Sequence, residues 1–211
     1  MRIGIDGNEA NVKEQVGVSV YTRKLLEYFQ KNADKTTQFR IYLRSSPIDI
    51  LPPETDYFKY EVVFGPSFWL HLFLPLSLFF KRGIDIFFSP AHYIPRYCPV
   101  PIVTTIHDLS YFYYPQEFLK KDLYKLTNWT QFAIQKSAHL IAVSKTTKKD
   151  ILQHYQVSDS HVTVVYNGFE KNASTSSPTD TLQRFELNHQ EYILYVGTLQ
   201  PRKNITILIE S

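Results

Sequence analysis

The chain has 211 residues, of which 44% are hydrophobic, 20% charged and 15% aromatic, and its net charge is +3. That profile excludes a disordered, collagen-like or low-complexity protein and supplies apolar side chains enough for a well-buried core. The positive excess is too small to argue for nucleic acid, and one cysteine, Cys98, excludes an internal disulfide framework and a cysteine-rich zinc site.

Residues 2–6 read as a short buried strand closed by the turn Asp6-Gly7-Asn8. The same opening meets an acid too soon for a secretory signal. Gly17 then precedes an amphipathic helix with Val18, Tyr21, Leu25, Tyr28 and Phe29 at helical spacing. Residues 38–43 and 58–64 read as strands. Residues 68–82, from Phe68 to Arg82, form the most apolar run, yet it falls short of the ~20 residues of a membrane span. A crossover helix bent at Pro75 is the favoured reading. A segment lying in a membrane interface, with Trp69 as anchor and Lys81-Arg82 on headgroups, is the alternative. Residues 84–88 and 101–106 are near-continuous apolar runs, as in parallel strands buried on both faces. A long helix over 118–137, a strand over 139–143, a helix over 144–155 and a strand over 162–165 follow.

Strands alternating with helices predict an α/β, Rossmann-like, mostly parallel sheet with helices on both faces. Ligands of such sheets sit beyond the carboxyl ends of the strands. The expected organisation is one domain over residues 1–170, a small polar linker over 171–190, and the beginning of a second Rossmann-like domain over 191–211. Within the last, residues 191–197 read as a strand, and Pro201-Arg202-Lys203-Asn204 should open a helix.

Several chemistries are missing from the sequence. There is no Asp-x-Asp pair of the kind that holds a metal on a nucleotide-sugar diphosphate, no phosphate loop, no Gly-x-Ser-x-Gly elbow and no His-Glu-x-x-His. Four features remain. Gly17 lets backbone N–H groups approach an anion at a helix start, or serves as an ordinary turn. His107-Asp108 ends a buried strand at the ligand face. The imidazole suits a sugar hydroxyl or phosphate, with Asp108 orienting it or capping the next segment. His92 repeats the argument more weakly, and an ordinary loop histidine is preferred there. Arg202 and Lys203 put two fixed cations at a helix start, which suits a diphosphate, although most such pairs are solvated. Three glycosylation sequons, at Asn128, Asn172 and Asn204, read as chance matches.

Six pieces in order give the chain a specific resemblance. They are Gly7-Asn8-Glu9-Ala10 with Gly17-Val18-Ser19-Val20-Tyr21; Ile84-Asp85-Ile86-Phe87-Phe88-Ser89-Pro90; Val103-Thr104-Thr105-Ile106-His107-Asp108-Leu109; Ile141-Ala142-Val143-Ser144-Lys145; Val164-Val165-Tyr166-Asn167-Gly168-Phe169; and Leu194-Tyr195-Val196-Gly197-Thr198-Leu199-Gln200-Pro201-Arg202-Lys203-Asn204. Together they resemble the N-terminal part of a family 4 glycosyltransferase of the GT-B fold, a group with many bacterial mannosyltransferases. The resemblance implies two Rossmann-like domains facing a cleft, the first holding mainly the acceptor and the second the nucleotide-sugar. It implies donor-binding roles for Gly17, Gly197, Arg202 and Lys203, and contact of His107, with Asp108 beside it, with the transferred sugar. It implies retention of anomeric configuration, no metal and no cofactor beyond the nucleotide-sugar co-substrate. Two departures stand out. Val16 and Val18 flank Gly17 where many relatives have a second glycine, and the family's paired donor-site glutamates lie beyond residue 211.

The sequence therefore reads as the acceptor-side domain of a retaining glycosyltransferase, inactive by itself, acting on a glycan or lipid-linked acceptor. It is placed in the cytoplasm, with peripheral contact at the inner membrane face through Phe68–Arg82 as the membrane option, and without nucleic acid. A non-catalytic glycan- or partner-binding module is the main alternative, and a nucleotide-sugar epimerase of the same architecture a third.

Overall fold

The computed structural model describes residues 1–65, 68–170, 178–197, 199 and 203–210. The chain divides into two compact units, Met1–Asn167 and Gly168–Ser211.

The first unit is built on a sheet of seven strands: β1 (Arg2–Asp6), β2 (Gln38–Leu43), β3 (Phe58–Val62), β4 (Ile86–Ser89), β5 (Ile102–Ile106), β6 (His139–Ala142) and β7 (Val162–Val164). All neighbours run parallel, in the order β3-β2-β1-β4-β5-β6-β7. The Rossmann-like α/β reading of the sequence is thus the observed architecture. The chain moves outward from β1 to β3, then returns to the other side of β1 with β4. That reversal is a topological switch point, and the general rule for α/β sheets places the ligand crevice there, at the carboxyl ends of β1 and β4.

Alternation along the strands decides which side chains meet which helices. Phe39, Ile41 and Leu43 of β2 and Phe88 of β4 join Ile5 and Leu26 in one core. Tyr42 and Phe87, one residue out of phase, join Trp69, Leu74, Leu78 and Ala133 in a second core. A third lies around β6, with Ile106, Leu140, Ala142 and Ile151. Threonines in the middle of β5 are tolerated because they find partners. Thr104 is fully buried and its hydroxyl meets that of Ser137 at 2.7 Å.

Helix α1 (Gly17–Lys31) buries Ser19, Thr22 and Leu26, with Leu25 and Phe29 packed against the sheet. The inward stripe is therefore turned from the one that Val18, Tyr21 and Tyr28 suggested. Tyr28 is exposed, and Tyr21 leans over the end of the sheet instead. Thr22 tolerates its burial because its hydroxyl donates to the Val18 carbonyl at 2.9 Å.

The apolar crossover is a π-helical turn, Trp69–Phe73, running into α2 (Leu74–Phe80). Pro75 lies in the first turn of α2, where its missing N–H costs least, and the wide turn before it takes up the mismatch. The segment is a covering helix on one side only. Trp69, Leu74 and Leu78 are buried, while Leu72, Leu76, Phe79 and Phe80 remain exposed. Helices α3 (Lys120–Lys136) and α4 (Lys145–His154) complete the unit. No described helix is long and apolar enough to cross a membrane.

In the second unit the described helices are α5 (Pro178–Arg184) and α6 (Ile205–Glu210). Helix α5 lies inside the stretch read as a linker, whose residues 171–177 are outside the described ones. Residues 191–197, expected as a strand, form none. A strand needs a neighbour for its backbone N–H and C=O groups, and no described residue supplies one. Ile193, Leu194 and Val196 accordingly stay exposed.

Candidate functional site

The loops after β1, β4 and β5 gather the polar groups. Gly7 begins the first loop under tight constraint. A Cβ there would lie 2.5 Å from Ile41 Cγ2 and 2.9 Å from Leu43 Cδ2, so only glycine fits. Asp6, just before it, accepts hydrogen bonds from the Asn8 backbone N–H at 3.1 Å and the Asn8 side-chain amide at 2.6 Å. Burial nevertheless pushes the Asp6 carboxyl up to about 6, with the charge of Glu9 adding to the rise and the Asn8 bonds opposing it. Burial raises Glu9 as well. Asn8 fixes the loop to β2 by accepting the Arg44 N–H at 2.8 Å.

His107 follows β5 and is held from three directions. Its Nε2 lies 2.8 Å from the Pro90 carbonyl in the loop after β4. A carbonyl only accepts, so Nε2 carries the hydrogen and Nδ1 keeps its lone pair in the neutral ring. Tyr21 of α1 packs edge-on against the imidazole, with centroids 4.8 Å apart, and its hydroxyl lies 3.4 Å from Thr105 Oγ1. The His107 carbonyl accepts the Thr147 hydroxyl at 3.2 Å, from the first turn of α4. That turn is set by Ser144, whose side chain caps the Thr147 N–H at 3.0 Å. Burial lowers the His107 pKa below the usual imidazole value, although the Pro90 carbonyl and Asp108 pull the other way. The ring is neutral at pH 7, with Nδ1 an acceptor for a hydroxyl proton.

Asp108 makes a local turn two residues long, just ahead of the short 3-10 turn whose N-cap is Leu109. Its Oδ1 accepts the Ser110 N–H at 3.0 Å and the Ser110 hydroxyl at 2.7 Å. His92 sits beside His107. Burial foremost, then the neighbouring His107, holds its pKa down at about 4. Its buried Nε2 has no hydrogen-bond partner among the described residues.

Gly17 opens α1 with empty space around it, and no atom lies within 4 Å of a Cβ built there. The extended Val16 provides no side-chain cap and the first turn contains no acidic residue. An anion can therefore approach these N–H groups. Lys203 and Gly197 belong to the second unit, where Lys203 is exposed just before α6. Arg202 lies outside the described residues. Among the described residues no three His, Cys, Asp or Glu side chains are grouped to hold a metal ion.

Asp6, Glu9 and Tyr21 are the site residues that the sequence reasoning did not single out individually. All three belong to, or adjoin, the motif Gly7-Asn8-Glu9-Ala10 with Gly17-Val18-Ser19-Val20-Tyr21. An acid closing β1 and an aromatic one helical turn beyond Gly17 were the available signals.

Comparison with known proteins identifies the family. The chain is 29% identical over 145 residues to the O-antigen chain mannosyltransferase RfbU of Salmonella typhimurium, covering 69% of this chain and 36% of that protein. It is 26% identical over 129 residues to O-antigen chain mannosyltransferase B of Escherichia coli, covering 60% of this chain and 34% of that one. It thus spans about a third of the length of these curated relatives. The crystal structure of Anabaena HepE in complex with UDP shares the fold, with a TM-score of 0.51 and 17% identity over 88% of this chain and 49% of that one. The model of Glycosyltransferase Family 4 matches residues 16–172, from just before α1 to just past β7, and so takes in the Gly17 turn, His107 and the capped start of α4. The chain belongs to glycosyltransferase family 4.

Proposed function

We propose that residues 1–167 form the acceptor-side half of a retaining glycosyltransferase that moves a sugar from a nucleotide-sugar to a glycan or lipid-linked acceptor. One observation carries the reading. A neutral histidine, its Nε2 committed to Pro90, offers Nδ1 at the carboxyl end of β5 beside a crevice that also holds Asp6, Glu9 and the open turn at Gly17. These groups suit a polyhydroxylated ligand with a phosphate tail. His107 Nδ1 accepts a hydroxyl of the transferred sugar and fixes its orientation. Asp6 and Glu9 meet further hydroxyls. The backbone at Gly17 approaches the diphosphate, and Arg202 and Lys203 neutralise it as it leaves.

In the transfer the bond from the anomeric carbon to the diphosphate oxygen breaks and a bond to the acceptor oxygen forms. Charge builds on the departing diphosphate oxygen, and that oxygen takes the proton of the acceptor hydroxyl as the new bond forms. Fixed cations do for that charge what a metal does elsewhere, so the reaction proceeds without one. The UDP of the HepE structure and the mannosyl transfer in the names of RfbU and its Escherichia coli counterpart support the nucleotide-sugar and a hexosyl group.

A membrane-facing position accompanies this reading, because Leu72, Leu76, Phe79 and Phe80 expose apolar surface next to Lys81 and Arg82. The cytoplasmic leaflet is the proposed setting.

The test offers a panel of radiolabelled nucleotide-sugars to the 211-residue chain and to the same residues within their complete reading frame. Transfer by the complete reading frame is expected, with His107→Ala slowing it at least about tenfold, roughly 1.4 kcal/mol of lost orientation. The 211-residue chain by itself should transfer nothing. Saccharide binding without turnover of any nucleotide-sugar would establish the binding module instead.

A further inference from the structure

A cavity of about 360 Å3 lies between the π-helical turn Trp69–Phe73 and α3. Its volume falls within the ~300–1,000 Å3 typical of small-ligand sites. Trp129 is the central platform. The rings of His71 and Tyr93 meet it edge to face, with centroids 5.2 and 5.3 Å away and interplanar angles of 87° and 86°. Two rings standing against it fix the indole in one orientation, so the platform is formed before any ligand arrives.

The rim is polar in a particular way. Arg96 holds its guanidinium 4.6 Å from the Phe132 ring centroid, and its backbone N–H donates to the Leu70 carbonyl at 3.4 Å. The amide of Asn128 donates to the Tyr124 carbonyl at 2.7 Å, which leaves its Oδ1 as an acceptor. Gln131, one turn along the same face of α3, keeps an exposed amide with no hydrogen bond among the described residues. Among the described residues no carboxylate lines the cavity. Burial, with the Arg96 charge adding to it, lowers the His71 pKa, so that ring contributes no second cation at pH 7.

This composition selects among ligands. A cationic ligand finds no counter-charge, and a metal finds no carboxylate. A partly buried indole lining the cavity beside amides and one guanidinium matches a pyranose. The axial C–H face of the ring lies on Trp129, while its equatorial hydroxyls donate to Asn128 Oδ1, exchange hydrogen bonds with the Gln131 amide and accept from the Arg96 guanidinium.

Location ties the cavity to the crevice. Tyr93 belongs to both, since its ring lies 5.3 Å from Trp129 and 4.0 Å from the His92 ring. Its backbone carbonyl accepts the Ser89 hydroxyl at 2.6 Å, at the end of β4. Burial foremost, then the charges of Glu9 and Asp122, raises its phenol pKa.

We propose that this cavity is a second saccharide subsite, holding a hexopyranose unit of the acceptor glycan one residue or more from the unit that is extended. The inference rests on the glycosyltransferase reading for the word acceptor, but the sugar binding stands on the cavity alone.

The probes are the methyl α-pyranosides of mannose, glucose, galactose, rhamnose and N-acetylglucosamine, and methyl α-mannobioside, each titrated into the 211-residue chain. The readouts are tryptophan fluorescence and saturation-transfer NMR. Trp69 is buried while Trp129 lines the cavity, and the emission lost in Trp129→Phe identifies the share that reports on Trp129. At least one pyranoside should bind in the millimolar range and quench that emission. Asn128→Ala and Gln131→Ala alter exposed positions and should leave folding intact. Each should weaken binding about three- to tenfold, as the loss of one hydrogen bond does. Trp129→Ala should abolish it, and Trp129→Phe should retain part of it. Absence of binding by every probe, or binding untouched by the Asn128→Ala/Gln131→Ala double variant, overturns the subsite. The complete reading frame separates the two readings. Transfer with an unchanged acceptor KM in the double variant would overturn the subsite and leave the transferase standing. Pyranoside binding that the variants weaken, with no transfer from any nucleotide-sugar, would uphold the subsite and remove the transferase.

Discussion

Asp6→Asn gives the most direct test of how the crevice is built. The change keeps the shape of the side chain, and an asparagine Oδ1 accepts the two Asn8 hydrogen bonds as the carboxylate does. What it removes is the charge. The carboxyl rises from 3.8 to about 6 on folding, mainly through burial. Below the unfolded value both states hold the proton and the penalty is nil. As pH rises from 3.8 towards 6 the unfolded chain releases its proton while the folded chain keeps it, so stability falls. Above 6 both are ionised and the folded state bears the whole cost. At about 1.36 kcal/mol per pH unit that span is worth about 3 kcal/mol. Asp6 retains some solvent contact, and screening there lowers the expected gain to about 1–2 kcal/mol. Urea unfolding of the wild type and of Asp6→Asn between pH 4 and pH 8 measures it. Trp69 and Trp129 both lie in the first unit, so tryptophan emission follows that unit. The variant should match the wild type at pH 4 and exceed it at pH 8. A gap of the same size at both ends would mean that the charge is not what burial penalises, and the account of the crevice would fail.

Gly17→Ala should stabilise the chain by roughly 0.4–1 kcal/mol, since the new methyl meets nothing within 4 Å and the unfolded chain loses freedom. In the complete reading frame it should cut transfer at least about tenfold by keeping phosphate off the helix start, and unchanged kinetics would refute that role. Ser144→Ala should cost about 1 kcal/mol in chemical denaturation, while Ser144→Asp, which keeps an acceptor for the Thr147 N–H, should not. Phe79→Ser/Phe80→Ser should weaken co-sedimentation with phosphatidylglycerol liposomes at least about tenfold if those rings enter the lipid, as even partial burial of two phenyl groups is worth more than 1.4 kcal/mol. Wild-type chain that stays in the supernatant at low salt would remove the membrane contact.

Most of the sheet was legible because each strand carries its evidence locally. The runs at 84–88 and 101–106 are apolar on both faces, and turn residues bound them. Elements whose form depends on distant partners were harder to read. Helix α1 presents two apolar stripes, and only the position of Phe39 and Phe88 decides that Leu26 and Phe29 face inward. The crossover was expected as one helix bent at Pro75, yet the missing N–H displaced the irregularity into the turn before it. Residues 191–197 have the composition of a strand, but composition does not create the neighbouring backbone that a strand requires.

The site shows the same division between local and distant causes. His107 could be found because it ends a buried strand, and strand ends are where such sheets bind. Its chemistry could not be found that way. The proton on Nε2 is fixed by a carbonyl seventeen positions earlier, the ring is walled by Tyr21 from the first helix, and the backbone beneath it is tied to Thr147 from the fourth. Each of those three elements packs into a different part of the core: α1 against β2, the loop of Pro90 beside β4, and α4 against β6 and β7. A histidine free to rotate would present either nitrogen to a sugar. Here rotation breaks the bond to Pro90 and disturbs the packing on Tyr21, so the bound orientation keeps Nε2 as the donor and Nδ1 as the acceptor. The fold therefore does more than bring His107 to the crevice. By holding the ring from three separately packed directions it selects one tautomer and one face, which is what orienting a single hydroxyl of a transferred sugar requires.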